Sequence, residues 1–192
     1  TKDATRIKTI GARIAKVANR SDFQWEFNLV EDEAVNAFCL PGGKVVVYTG
    51  ILKMAKNDDQ LATVISHEIA HALARHGAER MSSSMVQQGL QIVGNIALGA
   101  TAPQYQNLFN QTYGIGSQVG VMLPYGRMQE SEADEIGIYL MAQAGYNVHE
   151  ALKFWENMSE GKKEGSDFLS THPSSTNRIK DLEKVILKLP RS

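Results

Sequence analysis

At the start of the chain, Ile7, Ile10, Ile14 and Val17 recur at intervals of three and four between polar residues, which predicts an amphipathic helix ending near Asn19. The period then changes to two. Phe23, Trp25, Phe27 and Leu29 alternate with polar neighbours and predict a strand. AVNAFCL, a Pro-Gly-Gly turn at 41 to 43 and KVVVY follow as a β-hairpin, so a small sheet of about three strands is expected.

Helical spacing returns at Asp58 or Asp59, both good N-caps, and runs through LATVISHEIAHALARHG to a stop at Gly77. A second helix is expected over 83–99. Residues 101–127 hold Pro103, Pro124 and several Gly, Asn and Gln without a period, and read as an irregular or partly helical excursion, a lid or an insertion. In MQESEADEIGIYLMAQAGY a stripe of Ala133, Ile136, Tyr139, Leu140 and Ala144 is expected to be buried, with Gly145 as the stop. Asn147 and Glu150 read as a capping box for a helix to about Ser159, and GKKEGSD as a solvated loop. A last helix starts at Pro173 and presents Ile179, Leu182, Val185 and Ile186. With no internal repeat or interdomain linker, 1–192 is expected to be a single domain of the α+β class.

Composition narrows the function. Twenty basic and twenty-one acidic side chains leave a net charge of −1, so no global field attracts nucleic acid or an anionic membrane. The single Cys39 excludes an internal disulfide without fixing a compartment. The apolar stretch from Met85 is broken by Gln87, Gln88, Gln91 and Asn95, too polar for a span of about twenty residues. Thr1 is not an initiator and no basic-then-apolar leader follows it, which reads as a trimmed chain whose targeting or membrane-anchoring segment would lie upstream.

The chemistry-bearing stretch is His67-Glu68-Ile69-Ala70-His71. Four residues apart on a helix, the two imidazoles share a face and reach one metal ion, with Glu68 beside them. In a zinc peptidase such histidines bind the ion while the glutamate takes a proton from the attacking water and passes it to the leaving amine. A surface helix with scattered His and Glu is the plainer alternative, but Val64, Ile65, Ile69, Ala72 and Leu73 make this helix largely apolar, and burying the set unpartnered is costly. A catalytic zinc needs a third protein ligand. His76 is out of register for that role and reads as a helix-terminal packing or capping residue. The candidate is Glu130 on the later helix, with Asp134 one turn on to accept a hydrogen bond from a ligand histidine. Glu132 is expected to point elsewhere, into solvent.

NAFCLPGGKVVVYTG, HEIAHALARHGAER, ESEADEIG and STHPSSTNRI occur in the order found in the gluzincin family of the heat-shock protease HtpX and the CAAX prenyl protease, which this sequence resembles from residue 36 to 179. It looks most like the soluble periplasmic branch that includes BepA and LoiP. The resemblance implies a zincin-like fold, one Zn²⁺ held by His67, His71 and Glu130, catalysis by Glu68, and Asp134 behind a ligand. It implies that Asn36, Ala37, Phe38, Cys39 and Leu40 form an edge strand at the cleft along which an extended polypeptide adds itself. Cys39 is expected to be a small buried residue there. His172 and Arg178 fall in HPxxxxR, one near the start of the last helix and one inside it, and are placed at the cleft. Either would donate to the oxyanion, or His172 would occupy the fourth position on zinc and keep the site latent. The expected function is zinc-dependent endoproteolysis of extended or misfolded polypeptides in periplasmic or cell-envelope quality control. The competing reading is a chaperone-like binding module with a latent or structural zinc site.

Overall fold

A computed structural model of the protein describes residues 1–40, 42–76, 124–161, 166–173 and 177–190. The helix expected over 83–99, and the proposed lid as far as residue 123, lie outside the described residues. Helix α1 (Lys2–Ala18) buries Ile7, Ile10 and Ile14, as their spacing requires, while Val17 is half-buried. Thr1 Oγ1 accepts from Ala4 N at its start, and Asn19, at φ 51°, closes its end. A Cβ at Gly11 would run into the Phe27 ring, so the glycine lets α1 lie directly on that ring.

Three strands, β1 (Glu26–Val30), β2 (Ala37–Leu40) and β3 (Lys44–Tyr48), form a sheet in the order β1-β3-β2. The expected hairpin is present: β2 and β3 are antiparallel, with Ala37 opposite Val47. Its turn uses Gly42 and Gly43 at φ 95° and 106°, a region where side-chain-bearing residues are strained. β1 pairs with β3 in parallel. The strand starts later than the alternation predicts, because Phe23 and Trp25 stack on each other with centroids 4.9 Å apart beside the turn. Gln24 N and Glu26 N bond to the carbonyls of Gly42 and Gly43 there.

Helix α2 (Asp58–Leu73) is the central element, with every residue from Gln60 to Ala72 buried. Its cap is Asn57, whose Oδ1 accepts from Gln60 N at 2.9 Å; neither Asp58 nor Asp59 caps it, and both lie in the first turn. The helix ends at Leu73 rather than Gly77, because Arg75 adopts φ 60° and turns the chain back. Against α2 lies α3 (Arg127–Gln143). Ala133, Leu140 and Ala144 are buried as expected, but Ile136 is half-buried and Tyr139 exposed. The face is rotated because Glu130 turns inward and Gly137 meets α2, where a Cβ would stand 3.4 Å from His67 N.

Helix α4 (His149–Glu160) lacks the expected capping box. Asn147 Oδ1 accepts from His149 N, while Glu150 leaves the helix start to accept from Gln60 Nε2 (2.9 Å) and Asn57 Nδ2 (3.2 Å), joining α4 to the start of α2. A short helix, α5 (Ser166–Thr171), begins within the stretch expected to be loop. Phe168 N bonds to Val35 O, fastening α5 beside the start of β2. The last helix, α6 (Arg178–Leu187), starts at Arg178 and not at Pro173. His172 therefore follows α5, and Arg178 opens α6. The architecture is α+β, mainly helical with one small mixed sheet. No helix among the described residues is long and apolar enough to cross a membrane.

Candidate metal centre

Helix α2 carries His67, Glu68 and His71 into the interior, α3 brings Glu130 from across the helix crossing, and the end of α5 brings His172. Ligand atoms of His67, His71, Glu130 and His172 all lie within 4.8 Å of one another. The Nε2 atoms of His67 and His71 are 3.1 Å apart; Glu130 Oε2 is 2.8 Å from the first and Oε1 2.9 Å from the second. These separations fall a few tenths of an ångström short of the roughly 3.3 Å edge of a tetrahedron with bonds of about 2.0–2.1 Å to zinc. Glu68 Oε2 is buried without a hydrogen-bond partner, while Glu68 Oε1 and Glu130 Oε1 meet only imidazole nitrogens, at 2.9 Å from His172 Nε2 and His71 Nε2. Acceptor groups so placed are a poor solution for a dry interior and a good one for a cation. The donor set of imidazoles and a carboxylate suits zinc among common metals.

Behind the ligand atoms lies a second layer of contacts. Asp134 Oδ1 is 3.1 Å from His67 Nδ1. Arg178 Nε bonds to Asp134 Oδ2 and Nη2 to Glu130 Oε2, both at 2.7 Å, and its Cζ lies 3.8 Å from the centre of the Trp155 ring. It thus pairs with two carboxylates of α3. His172 Nε2 lies 2.9 Å from Glu68 Oε1 and its ring stacks on Phe168 at 4.2 Å. Tyr125 stacks on His71 with centroids 3.7 Å apart, and Trp155 meets His67 edge-on.

These contacts polarise the titrations. Burial opposes charge on His67, yet Glu130 and Asp134 outweigh it and raise its pKa to about 10. Burial pushes His71 down to about 4, and charge on His67 works in the same direction. The two histidines flank one carboxylate and move oppositely because His67 has Asp134 as a second anion, whereas His71 is more weakly paired and is opposed by charge on His67. Burial works against ionised Glu68 and Glu130, but the surrounding imidazoles hold both carboxyls below their usual range, Glu130 well below.

On β2, Ala37 and Cys39 point into the core while Phe38 and Leu40 are half-buried. Burial of Cys39 is as expected; its Sγ donates to Leu40 O. β2 is the terminal strand of the sheet among the described residues, α2 packs against it, and Ala37 N–H is taken by Asn36 Oδ1 at 2.9 Å. Sequence reasoning did not assign Tyr125, Trp155 or Phe168 to the site. The signal available was weak: one of the chain's two tryptophans and the aromatic residues nearest Gly126 and His172.

The sequence profile of peptidase family M48 matches residues 1–186, the whole site included. The chain belongs to this family. It is similar to the mitochondrial metalloendopeptidase OMA1 of Schizosaccharomyces pombe, 39% identical over 175 residues that cover 90% of this chain and 50% of that protein. The human metalloendopeptidase OMA1 is 32% identical over 86% of this chain and 33% of its own length. The β-barrel assembly-enhancing protease of Escherichia coli is 30% identical over 91% of this chain and 37% of its own. This M48 chain thus spans half or less of these relatives. Two of them are named as mitochondrial, so the relatives do not single out the cell envelope.

Proposed function

We propose that this M48 chain is the catalytic domain of a zinc metalloendopeptidase that hydrolyses extended or misfolded polypeptides. The observation that carries the reading is the meeting of His67, His71 and Glu130 at one buried point beside Glu68, whose Oε2 has no hydrogen-bond partner. His67 Nε2, His71 Nε2 and a Glu130 oxygen would hold the ion. A bound Zn²⁺ would supply Lewis acidity, polarising the scissile carbonyl and lowering the pKa of water from roughly 15.7 to about 7. Glu68, kept as carboxylate by its imidazole neighbours, takes a proton from the attacking water and returns it to the leaving amine. Substrate backbone would pair with β2 from Asn36 to Leu40, which requires the Asn36 side chain to release Ala37 N–H. Glu68→Gln tests the reading: zinc retained at one per chain with casein cleavage abolished is expected, and undiminished cleavage would sink it.

One observation favours a second reading, in which the site is latent and the chain grips polypeptides without cutting. His172 Nε2 already stands among the ligand atoms and against Glu68 Oε1. If His172 fills the fourth position, His172→Ala raises casein cleavage; if it donates to the oxyanion, the same change lowers it. A role in envelope quality control belongs to this proposal too, and locating the protein by cell fractionation tests it.

A further inference from the structure

His76 is 98% buried, lies outside the set that would hold the ion, and bridges it to the surface. Its Nδ1 is 3.0 Å from His71 Nδ1, and its Nε2 is 2.9 Å from Glu132 Oε2. Glu132 was expected to point away; its side chain is 56% exposed but leans back to make this contact. Such an approach is impossible within one regular helix, since residues five apart do not share a face. It exists because α2 ends at Leu73 and Arg75, at φ 60°, folds His76 beneath His71.

The direction of the hydrogen bonds follows from the chemistry. If His71 offers its Nε2 lone pair to the ion, its proton sits on Nδ1. That proton can go only to His76 Nδ1 as acceptor, which puts the His76 proton on Nε2 and points it at Glu132. We propose that His76 and Glu132 form a relay that positions His71, fixing its tautomer and ring as a metal ligand. The relay rests on the reading of His71 as a ligand. It also restores a symmetry: His67 has the carboxylate of Asp134 directly behind Nδ1, whereas His71 has the carboxylate of Glu132 one imidazole further away. Partners of this kind orient the ring and raise ligand basicity, and losing one weakens metal binding by roughly 10–100-fold.

The test is zinc affinity by chelator competition on the whole chain, with ¹⁵N NMR of the histidine rings in the zinc-loaded protein. Wild type is measured first: if it binds no zinc, the reading of His71 as a ligand fails, which is a separate outcome. Given wild-type binding, His76→Leu is expected to weaken zinc by about 10–100-fold. His76→Asn places a carbonyl oxygen near the position of Nδ1 and is expected to recover most of that loss. Exposed Glu132→Ala, which leaves the interior intact, should weaken zinc by a smaller factor and shift His76 away from its Nε2–H tautomer. Unchanged affinity in Glu132→Ala and His76→Leu, or a His76 protonated on Nδ1 in the zinc-loaded wild type, would overturn the relay.

Discussion

Replacing Arg178 by Leu removes a guanidinium that is 95% buried and carries two 2.7 Å bonds to carboxylates. Arg178 bonds one carboxylate oxygen each of Glu130 and Asp134. Its loss removes that cation from beside both carboxylates in a low-dielectric interior. Breaking a buried pair by removing one partner costs about 3–5 kcal/mol. For a domain of this size each kcal/mol moves the midpoint by about 2–4 °C, so the metal-free variant should melt roughly 6–20 °C below wild type. Bound zinc adds two positive charges beside the same carboxylates and should shrink the difference markedly. The assay is thermal unfolding of both proteins, with excess chelator and with saturating zinc. A loss that is equal in the two conditions, or below about 1 kcal/mol without metal, would refute the argument that Arg178 acts by neutralising these groups.

Zinc affinity should rise with pH. His67, with a pKa of about 10 in the metal-free site, gives up one proton per ion bound, whereas His71, at about 4, is already neutral. Chelator competition between pH 6 and 8 should show about a tenfold gain per unit, and a flat profile would contradict it. The same shift acts on folding: a pKa raised from 6.5 stabilises the metal-free fold fully below 6.5, and this contribution is lost as pH rises through about 10. Urea midpoints of chelator-treated protein should therefore fall between neutral pH and pH 10. Gly11→Ala gains about 1 kcal/mol of helix propensity but drives a methyl group into Phe27, where overpacking costs about 1–3 kcal/mol. A lower urea midpoint with unchanged zinc content is expected, and a higher one would contradict the close approach of α1 to the ring.

The HExxH helix, the later carboxylate helix and the hairpin were legible because each is carried by a local period or a turn residue. Glu130 facing the histidines follows from helical geometry once two helices cross. What stayed hidden depends on contacts between distant segments. Tyr139 looks like a member of an apolar stripe, but Gly137 and the inward carboxylates rotate that face toward α2. Glu150 fits a capping box by spacing, yet Gln60 and Asn57 on another helix draw it away. Arg178 reads as a cleft residue from its place in a motif, and only the fold reveals the two acids behind it. His76 was set aside because regular helical register excludes it, and no sequence rule signals a left-handed arginine.

Helix α2 has no solvent-facing side from Gln60 to Ala72. Its amides should therefore exchange with deuterium only through global opening, while those of β2 and α6, at the edges, exchange through local fluctuations. The reactive groups thus ride on the part of the molecule least able to breathe. Rotation of α2 to admit a substrate would unmake the core, so any opening must come from pieces at its rim. Among the described residues one short piece beside α2 is α5, six residues long, which carries His172 at its end. Slow exchange on α2 with fast exchange on α5 would mark a rigid reaction centre served by a small hinged neighbour.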